Sequence, residues 1–394
     1  MDNTNISQKY TQIACSVINV LLSVYLLVDI LTGYFHLNNY PISISVPFKM
    51  VLLVLMIIVI AYDAKSIIGI WFLILHTFFC LIHIENISAD PSTGINNLIK
   101  LNFCIIMYVY FRYYFSSCYL GKRDSIVFTN EIFFFINLIL ALLGMGYSTY
   151  SGLDVGLKGF FYAGNELGAL TFCLCVFSFI KYKCKLWPIL LYSGVAFLIG
   201  TKTPLFAIWI FYLLVSMFGD SKLSHKGMLF IGIALVLIYV NRTSILNIES
   251  VQFHIENLKK HEMQNDTFIN SVLSGRIDFS HNLIENMSEN FSLANILLGY
   301  GIPEKAAEID PIDTLYSFGI ITLIVQTAFY CIVIWISRED RVLLSFNIVY
   351  FLLSIFAGHI WFNTTSILIF CIINTCNLRL PCDEINRTVD DLNG

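Results

Sequence analysis

The chain has 394 residues, of which 57% are hydrophobic and 13% are charged, and its formal net charge is -4 at pH 7. Soluble domains carry about 25% charged residues, so this composition leaves too few polar side chains to cover a water-facing surface. The small negative charge also offers no basic surface, which excludes nucleic acid as a partner. The sequence therefore predicts an integral membrane protein.

Apolar segments of near-spanning length recur along the chain and predict about twelve transmembrane helices. They cover residues 13–32, 46–62, 67–83, 98–116, 131–148, 164–181, 188–201, 204–219, 228–241, 314–337, 342–360 and 364–379. The short neighbours 188–201 and 204–219 are compatible with two spans or with one re-entrant element. The predicted fold class is an all-α polytopic membrane protein with one long helical extracytoplasmic loop.

Lysine and arginine are unevenly distributed between the predicted loops, and cytoplasmic loops are normally the richer ones. One set of alternate loops holds Lys65, Arg112, Lys122, Arg123, Lys181, Lys183, Lys185, Lys222, Lys226, Arg338, Arg341, Arg379 and Arg387. The other short loops and their edges hold only Lys49, Lys100, Lys158 and Lys202. This predicts cytoplasmic termini, nine helices in 1–241, an outer loop at 242–313, three helices in 314–379 and a cytoplasmic tail at 380–394.

The outer loop begins with apolar residues at helical spacing, namely Ile248, Val251, Ile255 and Leu258. This spacing predicts an amphipathic helix. Such a helix either lies on the membrane or caps the bundle.

A second helix is predicted after Ser274, which is a suitable N-cap. Its expected apolar stripe consists of Ile277, Ile284, Met287 and Phe291. Ser274, Gly275 and Arg276 would then lie at the helix N-terminus, where free N–H groups and the helix dipole favour an anion. A guanidinium adds two parallel hydrogen bonds to a phosphate. The alternative is a structural Arg276 that pairs with a nearby acid.

The outer loop ends in an acidic cluster formed by Glu308, Asp310 and Asp313. Acids this close to a membrane boundary cost free energy unless they are hydrated, paired or used. Capping and solvation explain one or two of them more easily than three. Gly299 and Gly301 permit a tight turn just before the cluster.

Further polar side chains are predicted at the same depth as the acidic cluster: Asn165, Glu166, Lys202, His359 and Asn363. Each has an ordinary explanation, because Lys202 can extend to the interface, Glu166 can pair with Lys202 or Lys158, and His359 can be a packing residue. Together they predict a polar cavity beneath the outer loop, since ionisable residues in spans indicate function by default.

These segments, taken in order, resemble the bacterial O-antigen and capsular polysaccharide polymerases (Wzy-type) and the related O-antigen ligases. The matching pieces within residues 160–365 are FYAGNELGAL, GTKTPLFA, SGRIDF followed by ANILLGYG, EIDPIDTLYSFGIITL, and GHIWFN. The resemblance implies a GT-C-like glycosyltransferase of the bacterial cytoplasmic (inner) membrane. It would transfer a glycan from undecaprenyl pyrophosphate to a sugar hydroxyl with inversion at the anomeric carbon, and without a metal or other cofactor.

The resemblance also implies roles for particular residues. Arg276 matches the arginine of the SGR segment that would hold the pyrophosphate, whereas Lys202 stands where relatives often have arginine and loses the bidentate geometry. Ligases typically show a histidine shortly before a glycine-rich turn, but Gly299 lies further from His281 than that pattern expects. The sequence therefore favours a polymerase, whose acceptor is another lipid-linked repeat unit, over a ligase.

The predicted site contains two groups of residues. The candidate catalytic residues are Arg276, His281, Glu308, Asp310 and Asp313. The candidate substrate-binding residues are Asn165, Glu166, Lys202, Ser274, Gly275 and His359. The expected partners are the lipid-linked oligosaccharide, membrane lipid, a chain-length regulator and a flippase. The competing classes are a lipid-linked oligosaccharide flippase or transporter and a regulatory partner in polysaccharide export.

Overall fold

The computed structural model describes residues 3–40, 42–62, 67–84, 91–115, 122–150, 155–161, 164–218, 276–356 and 358–375. The described part is mostly helical, at 81%. Several predictions lie outside the described residues: the span at 228–241, the amphipathic helix that contains Ile248, the N-cap residues Ser274 and Gly275, and the tail at 380–394.

The first half of the chain forms a series of helices and one hairpin. The helices are α1 (Asn3–Ser23), α2 (Tyr25–Leu37), α3 (Ser45–Tyr62), α4 (Ile67–Ile82), α5 (Pro91–Tyr110), which continues into a π-helical turn (Phe111–Phe115), and α6 (Lys122–Leu142). The strands β1 (Tyr147–Tyr150) and β2 (Val155–Gly159) follow, and then α7 (Gly164–Lys181), α8 (Trp187–Ile199) and α9 (Lys202–Phe218).

The second half is helical where it is described. Its helices are α10 (Arg276–Glu289), α11 (Leu293–Leu298), α12 (Asp310–Ile336), a 3-10 turn (Ser337–Glu339), α13 (Arg341–Phe356) and α14 (Ile367–Thr375). Apolar runs of sufficient length predicted most of these helices, including α3, α4 and α7, whose bounds agree with the prediction to within one residue.

Within the described residues, four helices are long and apolar enough to cross a membrane, and a bent pair raises the number to five. The four are Thr93–Tyr114, Asp124–Leu142, Gly164–Lys181 and Asp310–Glu339. Shorter apolar helices cover Ser45–Ala61, Gly69–Ile82, Trp187–Ile199, Lys202–Met217 and Arg341–Phe356. The predicted count of twelve is therefore not established by helix length and composition.

The predicted first span, 13–32, is two helices that meet at an angle of 48°. Asn130 of α6 explains the break, because its side-chain amide bonds to a carbonyl and an N–H group that would bond to each other in a continuous helix. Its Nδ2 donates to the Leu22 carbonyl at 2.8 Å, and its Oδ1 accepts the Leu26 N–H at 2.9 Å. A side chain inserted in this way bends a helix without leaving polar groups unsatisfied.

The predicted span 131–148 is wrong at its C-terminal end, because α6 stops at Leu142 and a β-hairpin begins at Tyr147. Gly144 and Gly146 adopt φ of 79° and 102°, which ends the helix. The antiparallel hairpin pairs Tyr147 with Gly159 and Tyr150 with Val155. Tyrosine and threonine, which are enriched in strands, were the available signal in YSTY.

Helix α12 is interrupted at Gly319, whose φ of 77° and ψ of 178° are accessible to glycine alone. The break lets the backbone of the outer segment approach closely. A Cβ on Gly319 would overlap the Leu297 carbonyl, and a Cβ on Gly299 would overlap the Ser317 carbonyl. The two glycines thus fasten α11 onto α12.

The predicted helix after Ser274 is present as α10, but its packed face differs from the predicted stripe. Ser280 and Leu283 are buried, whereas Ile277, Ile284 and Phe291 are exposed. The helix packs against α12. Packing against α12 therefore buries a different face of α10 from the one that apolar spacing alone predicts.

Helices α7 and α14 lie at the centre of the described bundle, and residues 167–180 and 367–375 are buried almost throughout. The predicted spans 342–360 and 364–379 are shorter as helices, because α13 ends at Phe356 and α14 begins only at Ile367. The intervening segment 358–366 is irregular and largely buried. Irregular backbone within an apolar bundle needs polar partners, and these partners form the candidate site.

Candidate functional site

Arg276 is the first residue of α10, and its guanidinium is engaged by two other parts of the chain. Its Nη2 and Nε lie 2.7 and 3.2 Å from Glu308 Oε2. Its Nη1 donates to the carbonyl of Phe356 at the end of α13. Of the two roles that the sequence left open, the structure shows the pairing with a nearby acid.

Asp310 and Asp313 hold the backbone around Arg276 in place. Asp310 is fully buried, and its Oδ2 accepts the N–H groups of Ile360 at 2.7 Å and Trp361 at 2.9 Å. Asp313 is also buried, and its Oδ1 accepts the Ala307 N–H at 2.7 Å. Both carboxylates therefore stabilise irregular segments of backbone.

The backbone at Glu308 and the backbone at Gly358 cross at very short distance. Glu308 and His359 adopt φ of 58° and 59°, and Gly358 adopts 64°. A Cβ on Gly358 would overlap the carbonyl of Glu308, so only glycine fits at the crossing. We call Arg276, Glu308, Asp310 and Asp313 the crossing cluster.

The remaining residues predicted near the outer loop have different surroundings. His281 is exposed, and its Nδ1 lies 3.9 Å from Glu285 Oε2 one turn along the same helix. Asn363 lies in the segment before α14, where its Oδ1 accepts the Thr365 N–H at 2.7 Å. Half-buried His359 lies between Gly358 of the crossing and Ile360, which donates to Asp310.

Lys202, Asn165 and Lys158 lie at the start of helices or in the hairpin. Lys202 opens α9 and Asn165 lies in the first turn of α7, and both are half-buried. Lys158 lies over the Tyr147 ring, 5.3 Å from its centroid, and burial lowers the pKa of this amine. The described hydrogen bond of Glu166 is with Thr365 rather than with Lys202 or Lys158.

A cavity of about 270 Å³ lies between the C-terminal end of α2, the N-terminal ends of α3, α5 and α7, and the irregular segment before α14. Its polar lining includes Asp29, His36, Lys49, Lys100, Glu166 and Thr365. Sites for small molecules have volumes of roughly 300–1,000 Å³, so the volume of this cavity lies just below that range. We call Asp29, Lys49, Lys100, Glu166 and Thr365 the cavity cluster.

A buried ion pair forms one wall of this cavity. Lys49 Nζ lies 2.7 Å from Asp29 Oδ1, and the two side chains are 8% and 9% exposed. The same ammonium donates to Thr364 Oγ1 at 2.8 Å, and Ser45 donates to Asp29 Oδ1 at 2.5 Å. Removing either charge would leave its partner unpaired in an apolar bundle, which is strongly destabilising.

Thr365 joins this ion pair to Glu166. Its Oγ1 lies 3.2 Å from Asp29 Oδ2 and 3.0 Å from Glu166 Oε2. Its backbone is set by Asn363 and by Tyr25, whose hydroxyl donates to the neighbouring Thr364 carbonyl at 2.6 Å. One hydroxyl therefore connects two carboxylates in the cavity wall.

Helix starts add positive potential to the cavity. Helix α3 begins at Ser45, α7 begins two residues before Glu166, and α14 begins two residues after Thr365. Free N–H groups at such ends attract anions. Lys100 adds a further positively charged group to the lining of the cavity.

The sequence analysis named Glu166 but missed Asp29, Lys49 and Thr365. Asp29 had a usable signal, because it is the carboxylate within the apolar segment 13–32, and an acid inside a span indicates function. Lys49 was used only in the count of lysine and arginine residues that predicts the orientation of the helices in the membrane. Thr365 had no signal, since its significance comes from carboxylates on two other helices.

The described residues contain no group of three or more His, Cys, Asp or Glu side chains placed to hold a metal ion. Comparison with family models, with characterised proteins and with solved structures gave no match. The resemblance to polysaccharide polymerases therefore remains a prediction from the sequence.

Proposed function

We propose that the chain is a polytopic membrane protein of about twelve spans, with residues 242–313 on the outer side. Four or five helices are long and apolar enough to cross a membrane. Helix α4 also presents Trp71, Leu75 and Phe78 on its outside with about 60% of each side chain exposed. An apolar helix with such an exposed face suits lipid rather than water.

The proposed orientation has a direct test, since Ile284 on α10 is 52% exposed. A single cysteine at this position, in a background in which the 11 native cysteines are replaced, should react with a membrane-impermeant maleimide added from outside. Labelling that occurs only after the membrane is permeabilised would place the loop in the cytoplasm and overturn the proposal.

The proposed activity is polysaccharide polymerisation, in which a glycan passes from undecaprenyl pyrophosphate to a sugar hydroxyl of another lipid-linked repeat unit. The observation that carries this proposal is the polar cavity, because it brings carboxylates, lysines and helix starts together at the predicted outer end of the bundle. An O-antigen ligase-type transfer to a different acceptor would use the same chemistry.

The transfer needs two kinds of group. The acceptor oxygen attacks the anomeric carbon, the bond from that carbon to the pyrophosphate oxygen breaks, and the pyrophosphate leaves with the electron pair. A cation must stabilise the leaving group, and Lys100 with the helix starts is suited to this. A base must take the acceptor proton, and Glu166 lines the same cavity. Arg276 would reach a phosphate only by exchanging Glu308 for it.

One observation favours the transporter class as a second candidate. Glu131 lies near the middle of α6, where its Oε1 accepts hydrogen bonds from Tyr192 and, at 3.3 Å, from Ser178. Acids at such depth often belong to ion or proton pathways. A flippase or transporter would use this carboxylate, whereas a transferase of the proposed kind has no need of it.

Purified protein in liposomes with lipid-linked repeat units separates these functions. A ladder of polymer supports the transferase, and movement of the repeat unit across the bilayer without polymer supports the transporter. The absence of both polymer and movement supports a regulatory partner. Lys100→Ala should lower polymer formation by roughly 10²–10³-fold, as expected for one lost stabilising group. Its matched control is Lys185→Ala, an exposed lysine at the predicted cytoplasmic end.

A further inference from the structure

Thr365 makes two hydrogen-bond contacts with a single hydrogen. A threonine hydroxyl has one hydrogen and two acceptor lone pairs, yet Oγ1 lies within hydrogen-bond distance of both Asp29 Oδ2 and Glu166 Oε2. At any moment it donates to one carboxyl group only. The second contact becomes a hydrogen bond when that carboxyl group itself carries a proton and donates it to Oγ1.

The surroundings of the two carboxyl groups differ, and this difference decides which one takes the proton. Asp29 is paired with Lys49 at 2.7 Å and also accepts from Ser45, so its charge is already compensated. Glu166 lies in the first turn of α7, half-buried, and lines the cavity. Asp29 is therefore held by a cation and a hydroxyl donor, whereas the described partner of the Glu166 carboxyl group is the Thr365 hydroxyl.

We infer that Glu166 is the base of the site and that Thr365 and Asp29 position it in both of its protonation states. When Glu166 is ionised, the Thr365 hydroxyl donates to Glu166. When Glu166 has taken a proton from the acceptor hydroxyl, it donates that proton to Oγ1, and the hydroxyl of Thr365 turns to donate to Asp29. The heavy atoms keep their positions, and each proton has one donor and one acceptor throughout.

The charged groups that face this cavity support the assignment. His36 and Asp29 come from α2, Lys49 from α3, Lys100 from α5 and Glu166 from α7. Lys49 is held by Asp29 and Thr364, which leaves Lys100 as the lysine suited to a phosphate group. The leaving group and the base would then be served by different sides of the same cavity.

The other acids near the predicted outer face are less suited to this role. Asp310 and Asp313 each use one oxygen to hold backbone N–H groups, and they do not line the cavity. Glu308 is paired with Arg276. Unlike these three acids, Glu166 both lines the cavity and contacts the Thr365 hydroxyl.

The role of Glu166 in the transfer step rests on the proposed function, whereas the hydroxyl shared by Glu166 and Asp29 does not. Infrared difference spectra between neutral and acidic pH test the shared hydroxyl without substrate. Subtraction of the Glu166→Gln difference spectrum from that of the wild-type protein should leave one carbonyl band of a protonated carboxyl group, because the contributions of the other acids cancel. Thr365→Val, which lacks the hydroxyl, should shift this band, and Thr365→Ser should restore its position. Absence of this band after the subtraction, or a band that does not move in Thr365→Val, overturns the inference.

Polymer formation in liposomes tests the catalytic role. Glu166→Gln should lower kcat by about 10²–10⁴-fold, as expected for a lost base. Thr365→Val should lower kcat by about 10-fold or more, as expected for a misplaced base. KM should be unchanged in both variants, and Thr365→Ser should remain near wild type. Undiminished transfer by Glu166→Gln would remove Glu166 as the base. The expected infrared behaviour in a wild-type protein that forms no polymer would refute the proposed function while leaving the Thr365 pair in place.

Discussion

The crossing cluster and the cavity cluster contain the same kinds of side chain, but they direct them to different partners. In the crossing cluster, Asp310 and Asp313 bind backbone N–H groups, and Arg276 binds Glu308 and a carbonyl. In the cavity cluster, the bonds run between side chains that face an open volume. The density of acids in the sequence pointed to the first cluster, whereas access for a substrate points to the second.

The largest expected effect is on the crossing itself, through Gly358→Ala. A methyl group would overlap the Glu308 carbonyl, and φ of 64° is unfavourable for alanine. We expect a loss of more than about 4 kcal/mol in the free energy of unfolding, measured by thermal unfolding in detergent. Gly194→Ala is the matched control, because no atom lies within 4 Å of its added Cβ, and it should not destabilise the protein. Equal stability of the two variants would contradict the crossing.

The next effect concerns the ion pair of the cavity cluster. Lys49→Met leaves Asp29 buried without its cation and should destabilise the protein by about 3–5 kcal/mol. The double variant Asp29→Leu/Lys49→Met removes both charges and should regain most of this stability. It should nevertheless lower polymer formation by about 10-fold, as is expected for Thr365→Val, because Thr365 loses its second acceptor. Recovery of activity together with stability would make the pair purely structural.

Asp310→Ala tests whether the acids of the crossing cluster are structural. The N–H groups of Ile360 and Trp361 would lose their acceptor, at a cost of about 1–3 kcal/mol for each buried group. We expect lower stability in thermal unfolding, while the polymer formed per folded molecule stays within a few-fold of wild type. A stable but inactive variant would move the catalytic acid from the cavity cluster to the crossing cluster.

The smallest expected effect is the coupling between Arg276 and Glu308. Because Glu308 is 44% exposed, the pair should contribute less than about 1 kcal/mol. A double-mutant cycle with Arg276→Ala and Glu308→Ala measures this coupling in unfolding. A loss of polymer in Arg276→Ala that far exceeds the loss in Glu308→Ala would instead support the predicted phosphate role of Arg276.

Part of the candidate site followed from local patterns. The predicted span 164–181 coincides with α7, and this placed Glu166 in the first turn of a helix. The predicted helix at Arg276 is also present, and the alternative of pairing with an acid was stated. By contrast, the hairpin at 147–159 and the break at Gly319 were not predicted, because each depends on a glycine whose conformation is stabilised by packing against distant backbone.

The amino-acid sequence by itself determined the apolar character of the chain and the positions of most helices. Those properties depend on composition and spacing within one segment. Only the tertiary structure decided that Thr365 stands between Asp29 and Glu166, residues that lie 336 and 199 positions away from it. The reason is geometric, because contacts between helices depend on their rotation and tilt after packing, and no local spacing encodes these.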